Sequence, residues 1–572
     1  MPPDAQVCSG CLYDVLGTLL DYALVFVREW FVLLAVAAVA WFVPWRMPGV
    51  GCRVSGVFRL GLIVFCVSLI WSLGVVAFNG IPQPLIHDDY AVLLGGEMFA
   101  NGRAAYPTHP LWPHFESFHV LQVPSYASKY PLGNELVLAF GLRAFGVALA
   151  GSWLVAAAAC AAIFWALVAV LPPWWAFAGG VAAAIHPVML NWSESYRGGG
   201  LAALGGALLF GAALRIAREP RVRDGAIAGA GLALLAISRP YEGLILAAAC
   251  AIAVHRVHLR TMLAAVAVAS VGLVTIAAHN RAVTGSFTTL PWTLYAQQYD
   301  SAPQFVWQED RPVPRYRNEE FRFVWERMHR RSYERMLEPG GLRDELLRRV
   351  DFITTMLVND PENRRPALLF SLFLVPFLML PLAWREDRSV RIAAIGVAIA
   401  LLAPFTIWVF RLTHYLAPLA APVAALVLLL VRRLAATPRG QRFAIAIAIV
   451  FAVNAAMTLV WWSKRSDGME PLRQRLVRQA GEGKHLFLVA PDAHGLVYNA
   501  AAIDAARVVW ARDLGDNAAL LAYFRDRRHW RVEKSGRISP VARPLIRPLA
   551  TFSPLDAGRR ATKFHSRETL PQ

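Results

Sequence analysis

An α-helical polytopic membrane protein carrying a small C-terminal α/β soluble domain is the fold class this sequence predicts, and three observations predict it. Of 572 residues, 57% are hydrophobic and only 17% charged, with a mean hydropathy of +0.44, which lies outside the range of soluble globular chains. The apolar residues fall into runs of roughly 15 to 22, the length that crosses a hydrocarbon core of about 30 Å. From Ser463 onward the pattern changes to short alternating segments between turn residues, as strands and short helices require.

Taken in order, the expected spans are 30–45, 58–79, 151–171, 175–190, 198–215, 225–239, 240–255, 261–280, 366–384, 391–410, 412–431 and 443–462. The connections Arg46 to Arg59, Arg215 to Arg223, His255 to Arg260, Arg385 to Arg391 and Arg432 to Arg442 are short and basic. The positive-inside rule assigns all five to the cytoplasm. The net charge of +18 therefore orients helices and is a poor indication of nucleic-acid binding. If 131–149 were also a span, every later basic loop would change side. Its sequence P-L-G-N-E-L-V-L-A-F-G-L-R-A-F-G, with Asn134, Glu135 and Arg143, instead fits an interfacial amphipathic helix.

This gives about 11–13 transmembrane helices. Residues 1–57 form an N-terminal segment with one extra span, and 58–462 form the membrane domain, with external loops 80–130 and 281–365. No cleavable signal peptide is expected, because the first residues are uncharged or acidic and the first long apolar run starts late. In the second loop, E-E-F-R-F-V-W-E-R-M-H-R-R-S-Y-E-R-M-L reads as an amphipathic helix on the membrane surface. In the external tail, K-H-L-F-L-V-A-P and A-R-V-V-W-A-R read as strands, and N-A-A-L-L-A-Y-F-R-D-R-R-H-W as a helix. A small α/β domain over 463–553 follows, with a disordered end at 554–572. The six cysteines make no disulfide framework, and the close pair Cys8 and Cys11 is read as incidental.

The polar residues gather at the external helix ends. H-D-D-Y, residues 87–90, follows the span 58–79; one aspartate can cap the next helix, but a single cap does not explain both Asp88 and Asp89 beside His87 and Tyr90. S-K-Y-P carries Lys129, the one lysine before Ser463 in a chain that otherwise writes its cations as arginine. A compact ammonium suits a phosphate or carboxylate partner. Three further external ends are N-W-S-E-S-Y-R-G-G-G with Glu194 and Tyr196, S-R-P-Y-E-G with Arg239 and Glu242, and F-R-L-T-H-Y-L-A-P with Arg411, His414 and Tyr415. Charges near lipid are costly and mark functional sites. Cations that hold an anionic lipid headgroup, beside a carboxylate acting on a nucleophile, point to lipid-linked group transfer. A transporter or lipid-handling protein is the alternative, disfavoured because few charges lie mid-span; a membrane anchor presenting the tail is a third reading. His109, His114 and His119 could together hold a divalent metal, but an even spacing of five residues is not a metal signature, so they are read as loop histidines and no metal or other cofactor is assigned.

These motifs resemble the C-type glycosyltransferase (GT-C) superfamily of integral-membrane enzymes that use polyprenyl-phosphate sugars. Within it the chain looks most like bacterial relatives of protein O-mannosyltransferase and the aminoarabinose lipid A transferase, glycosyltransferase family 39 and its neighbours. H-D-D-Y matches the acidic pair of the first external loop, K-Y-P resembles the K-P-P turn before an interfacial helix, and H-Y-x-x-P at 414–418 resembles a late helix motif. The likeness covers roughly residues 58–462. It implies a GT-C-like fold in a bacterial inner membrane with the active site and tail on the periplasmic side, a polyprenyl-phosphate sugar donor, and a lipid, glycan or protein acceptor. It further implies inverting transfer with Asp88, or alternatively Asp89, as general base. Lys129, Arg239, Arg411, His414 and Tyr415 would then hold the donor phosphate, and His87, Tyr90, Glu194, Tyr196 and Glu242 would face the sugar or acceptor. The aspartate common at the second external turn of the family is not matched; Glu194 is only nearby.

Overall fold

The structure, a computed structural model, describes residues 54–254, 258–305, 307–357, 374–407, 412–462, 469–491, 493 and 495–541. The expected span 30–45, the Cys8 and Cys11 pair, Arg411 and the segment 554–572 lie outside the described residues. Helices dominate. The first eleven are α1 (Val54–Asn79), α2 (His87–Ala100), α3 (Leu132–Phe145), α4 (Ala148–Leu167), α5 (Pro173–Ile185), α6 (Pro187–Ser193), α7 (Gly200–Ile216), α8 (Val222–Ser238), α9 (Pro240–Ala253), α10 (Leu259–Thr284) and α11 (Pro291–Tyr299).

Among the described residues, five helical stretches are long and apolar enough to cross a membrane: Gly56–Asn79, Ala148–Leu167, Leu259–Thr284, Thr413–Leu434 and Pro438–Thr458. Pro173–Ile185, Gly200–Ile216 and Pro240–Ile252 are apolar but shorter. α4 lies at the centre, packed on α1, α3, α5 and α7. Its run of alanines, with Ala156, Ala159 and Cys160 fully buried, lets the neighbouring backbones approach closely. α1 and α10 turn large apolar side chains outward, including Phe58, Ile70, Val271 and Val274, as helices facing acyl chains do.

Several expected spans are broken in the structure. The run expected at 175–190 divides into α5 and α6, because Pro187 holds His186 in an extended conformation (φ −65°, ψ 132°) and removes one backbone donor. The run expected at 391–410 divides into Arg388–Ala400 and Leu402–Thr406. Thr413–Leu419 is a 3₁₀ turn, with Pro418 inside it, running into a helix at Ala420–Leu434. The second loop shows Glu319–Arg322, a π-helical stretch Phe323–Arg330 and Arg331–Leu337 in place of one regular helix.

α3 is 14 residues long, too short to span, and exposes Leu136, Phe140 and Phe145 while burying Glu135. The first loop also holds a three-stranded antiparallel sheet in the order β1-β3-β2, made of β1 (Tyr106–Pro107), β2 (Val120–Leu121) and β3 (Ser125–Ser128). These strands are too short to leave a period in the sequence.

Past a helix at Met469–Ala480, the tail builds a second sheet of β4 (His485–Val489), β5 (Val508–Arg512), β6 (Arg528–Val532) and β7 (Ile538–Pro540) in the order β5-β4-β6-β7. β4 pairs in parallel with β5 and β6, and β7 closes the edge antiparallel. The expected helix through R-D-R-R-H-W stops at Tyr523, because Arg528–Val532 is strand β6. This sheet does not stand apart. Leu486, Leu488, Val509 and Phe524 share one core with Ala91, Leu94 and Met98 of α2 and with Phe115 and Tyr126 of the first loop. The tail therefore closes over the segment that carries Asp88.

Candidate active site

The two aspartates open α2 and have different surroundings. Asp89 Oδ2 accepts the backbone N–H groups of Leu85 (2.9 Å) and Ile86 (3.2 Å), as a capping carboxylate at the third helical position does. Its Oδ1 lies 3.3 Å from Arg197 Nε. Arg197 reaches it from the turn after α6, where Gly198 (φ 80°) and Gly199 (φ 131°) take left-handed conformations; a Cβ on Gly199 would stand 2.4 Å from the Trp192 ring. Burial still pushes the Asp89 carboxyl above the usual carboxylate range, with Asp88 adding to this and Arg197 opposing it.

Asp88 keeps a side chain 24% exposed. The Tyr130 hydroxyl donates to its Oδ1, and His119 Nε2 stands 3.5 Å from its Oδ2. Burial raises the Asp88 pKa, but His119, the Tyr130 hydrogen bond, Lys129 and Arg197 together outweigh it and bring it to about 2. The two neighbouring carboxylates are thus driven apart by their environments, the pattern that separates acid and base roles.

Lys129 follows β3, and its backbone N–H donates to the His119 carbonyl at 3.1 Å. Its ammonium sits among four rings: Trp292 at 4.5 Å, Tyr295 at 4.6 Å, Tyr130 at 5.4 Å and Trp325 at 5.7 Å from the centroids. Ring faces attract a cation without consuming its N–H donors. Burial lowers the Lys129 pKa, against the pull of Asp300 and Asp88. His119 adopts φ 63°, a left-handed conformation costing about 1–2 kcal/mol that tertiary contacts must sustain. Its backbone N–H donates to the Tyr295 hydroxyl at 2.9 Å.

One cavity of about 240 Å³ is lined by Lys129, Tyr130, Arg197 and Trp292 of this cluster, while Asp88 and Asp89 do not line it and Asp88 meets it through the Tyr130 hydroxyl. Lys129, Tyr130, Arg197, Arg239, Glu242 and Tyr415 line its polar part, while Leu132, Leu201, Ile237, Ile276, Leu290 and Ile407 form an apolar wall. Arg239 ends α8, lies over the Tyr415 ring at 4.6 Å and stands 3.7 Å from Glu242. Tyr415 reaches the cavity because its 3₁₀ turn packs hard on α7: a Cβ on Gly206 would stand 2.1 Å from the Pro418 carbonyl oxygen. His414 is buried beside Tyr415, their ring centroids 5.0 Å apart, and is not among the cavity-lining residues.

The other residues expected at the sugar or acceptor lie elsewhere. His87 Nδ1 is 2.6 Å from the Tyr498 hydroxyl, and Tyr90 stacks on the Tyr498 ring at 4.6 Å while donating to Glu470 at 3.0 Å. Both are engaged with the tail. Tyr196 donates to the Pro82 carbonyl (2.9 Å), and Glu194 is buried at the end of α6; neither lines the cavity. The three evenly spaced histidines diverge, with His109 at Asp504 (3.1 Å), His114 at the Arg512 carbonyl (2.9 Å) and His119 at Asp88. Among the described residues no group of three or more His, Cys, Asp or Glu could hold a metal ion.

Tyr130, Arg197 and Trp292 belong to this cluster although the sequence did not single them out, and His119, expected to be a loop histidine, faces Asp88. Tyr130 sits inside the K-Y-P motif and Arg197 one residue past Tyr196, so position alone could have drawn notice to them. The Trp292 and Tyr295 walls of the cage leave no such signal.

No protein-family model and no curated protein matches the chain. Among solved structures it is similar to the Archaeoglobus fulgidus oligosaccharyltransferase tethered with an acceptor peptide, at 12% identity and TM-score 0.46, covering 80% of this chain and 64% of that one. It is also similar to the archaeal oligosaccharyltransferase AglB from Archaeoglobus fulgidus in complex with an inhibitory peptide and a dolichol-phosphate, at 12% identity and TM-score 0.44, covering 77% and 63%. The chain spans under two thirds of the length of these structures.

Proposed function

We propose that this chain is a GT-C-type membrane glycosyltransferase that moves a sugar from a polyprenyl-phosphate donor to an acceptor at the outer face of the membrane, with inversion. The observation that carries this reading is a single cavity in which Lys129, Arg197 and Arg239 converge, continuous with an apolar wall and bordered through Tyr130 by Asp88. A lipid-linked phosphate needs those two kinds of surface side by side: fixed cations for the headgroup and apolar side chains for the first units of the tail.

In this reading the acceptor hydroxyl or amine gives its proton to Asp88 as its oxygen or nitrogen attacks the anomeric carbon. The bond from that carbon to the phosphate oxygen breaks, and the electron pair leaves on the polyprenyl phosphate. Attack opposite the leaving group inverts the anomeric centre. Lys129, Arg197 and Arg239 are in place before the reaction to stabilise the charge that grows on the phosphate, the kind of preorganisation that contributes most to such steps. Bound phosphate would also offset the cationic pull on Asp88, raising its affinity for a proton as the donor arrives. Family 39, the bacterial inner membrane and the periplasmic placement of the tail belong to the same proposal, supported by the motifs at Asp88, Lys129 and His414.

The test is turnover by the purified full chain in detergent or nanodiscs supplied with decaprenyl-phosphate hexoses and candidate lipid, glycan and peptide acceptors. Release of decaprenyl phosphate together with a product of inverted anomeric configuration is the expected result. Movement of labelled donor across vesicles with no release, under every acceptor tried, would replace the enzyme by a lipid transporter.

A further inference from the structure

We propose that Tyr130 and His119 are positioning residues that aim and orient the Asp88 carboxylate, an inference that rests on Asp88 being the base. Each group takes a different oxygen: the Tyr130 hydroxyl donates to Oδ1, and His119 Nε2 faces Oδ2 at 3.5 Å. Two partners on two oxygens fix rotation about the last side-chain bond, which a single contact would leave free.

The partners are themselves anchored. Tyr130 N–H donates to Ser128 Oγ at 3.2 Å, and its ring meets Trp292 edge to face at 5.9 Å. His119 is held at φ 63° through the Tyr295 hydroxyl on its N–H and the Lys129 N–H on its carbonyl. Its ring packs among Tyr130, Tyr295 and Trp325, and its buried Nδ1 has no hydrogen-bond partner among the described residues. A residue placed for packing alone would not need a strained backbone and an unsatisfied nitrogen; those costs are understandable if the other nitrogen has a fixed task.

The charged and titratable groups around Asp88 come from every neighbouring segment: His87 and Asp89 on its own helix, His119, Lys129 and Tyr130 from the first loop, Arg197 after α6, Tyr415 before Ala420–Leu434, and Tyr498 from the tail. Tyr130 stays protonated, since burial and then the Asp88 charge push its pKa well above that of a free phenol. Burial and then Lys129 hold the His119 pKa well below its ordinary value, against the pull of Asp88.

The experiment compares Tyr130→Phe, His119→Leu, His119→Gln and Asp88→Asn in the purified full chain, using release of decaprenyl phosphate from a decaprenyl-phosphate hexose. Tyr130→Phe is expected to lower kcat roughly 10- to 100-fold with donor KM changed less than about threefold, and to raise the acid-side midpoint of the pH–rate profile by about one unit. His119→Leu should behave alike, and His119→Gln, which keeps an N–H, should recover most of the loss. An inactive Asp88→Asn together with a Tyr130→Phe enzyme of unaltered kcat and pH profile would overturn the inference while leaving the base in place. So would a His119→Gln enzyme as impaired as His119→Leu. An active Asp88→Asn enzyme would instead remove the base itself. Should Tyr130→Phe not fold, the pair of His119 variants decides.

Discussion

Arg197 Nε lies 3.3 Å from Asp89 Oδ1, on a side chain whose other oxygen already caps α2 through Leu85 and Ile86. That arrangement gives Asp89 a structural task and, under the proposed function, leaves Asp88 as the base.

Substitution should separate them. Asp89→Asn removes the carboxylate that accepts from Leu85 and Ile86 and faces Arg197, a loss of about 1–3 kcal/mol that is expected to appear as a lower melting temperature and poor yield. Asp88→Asn gives up the attraction of Lys129 and Arg197 while keeping an acceptor for the Tyr130 hydroxyl, and should reduce turnover of the folded protein by about 10²- to 10⁴-fold. Turnover per folded molecule distinguishes the two, with folded Asp89→Asn expected to retain product formation; an Asp88→Asn enzyme as active as wild type would refute the division.

The Lys129 cage predicts an unusual intolerance. Under the proposed function, in which Lys129 faces the leaving phosphate, Lys129→Met should cost on the order of 2–4 kcal/mol of barrier and weaken donor binding. Lys129→Arg should not restore activity, since a planar guanidinium is wider than the ammonium held among Trp292, Tyr295, Tyr130 and Trp325. Donor affinity measured by thermal shift with decaprenyl phosphate checks both.

Docking of the tail should weaken in acid. Burial lowers the His87 pKa and Arg512 adds to this, while Glu320 and Asp88 oppose it. Its folded value lies below the unfolded 6.5, so the neutral ring contributes stability that is fully present above about pH 6.5 and lost as pH falls through the lower, folded value. Limited proteolysis of the tail should accelerate between pH 7.5 and 5, and His87→Gln should flatten that difference. Identical pH dependence in the variant would assign the effect to another group.

Gly206 carries a packing prediction. Because a Cβ there would meet the Pro418 carbonyl oxygen at 2.1 Å, Gly206→Ala must push Thr413–Leu419 away from α7. A destabilisation of about 1–3 kcal/mol is expected, with donor affinity falling as Tyr415 shifts in the cavity. Unchanged affinity in a folded variant would show that Tyr415 is dispensable to the cavity.

Asp88 and Lys129 were legible in the sequence because each is a rarity in its setting: paired acids beside an apolar run, and one lysine where cations are otherwise arginine. Most helices were legible too, since an apolar stretch in a bilayer must satisfy its own backbone and leaves a long, uniform signal. Breaks at Pro187 and Pro418 were harder to see, because composition stays apolar across them. The two-residue strands β1 and β2 are shorter than any detectable period.

What the sequence by itself determined is that the chain is mostly apolar helix, with five stretches of membrane length among the described residues, and where its unusual charges stand along the chain. Only the tertiary structure decided which of those charges meet. Arg197 finds Asp89 across 108 residues, Tyr130 and His119 converge on Asp88, and His87 and Tyr90 are drawn to the tail and not the cavity. The reason is physical: hydropathy is a property of each segment and survives in one dimension, whereas a cage, an ion pair or a cavity exists only where separate segments are packed to within a few ångströms.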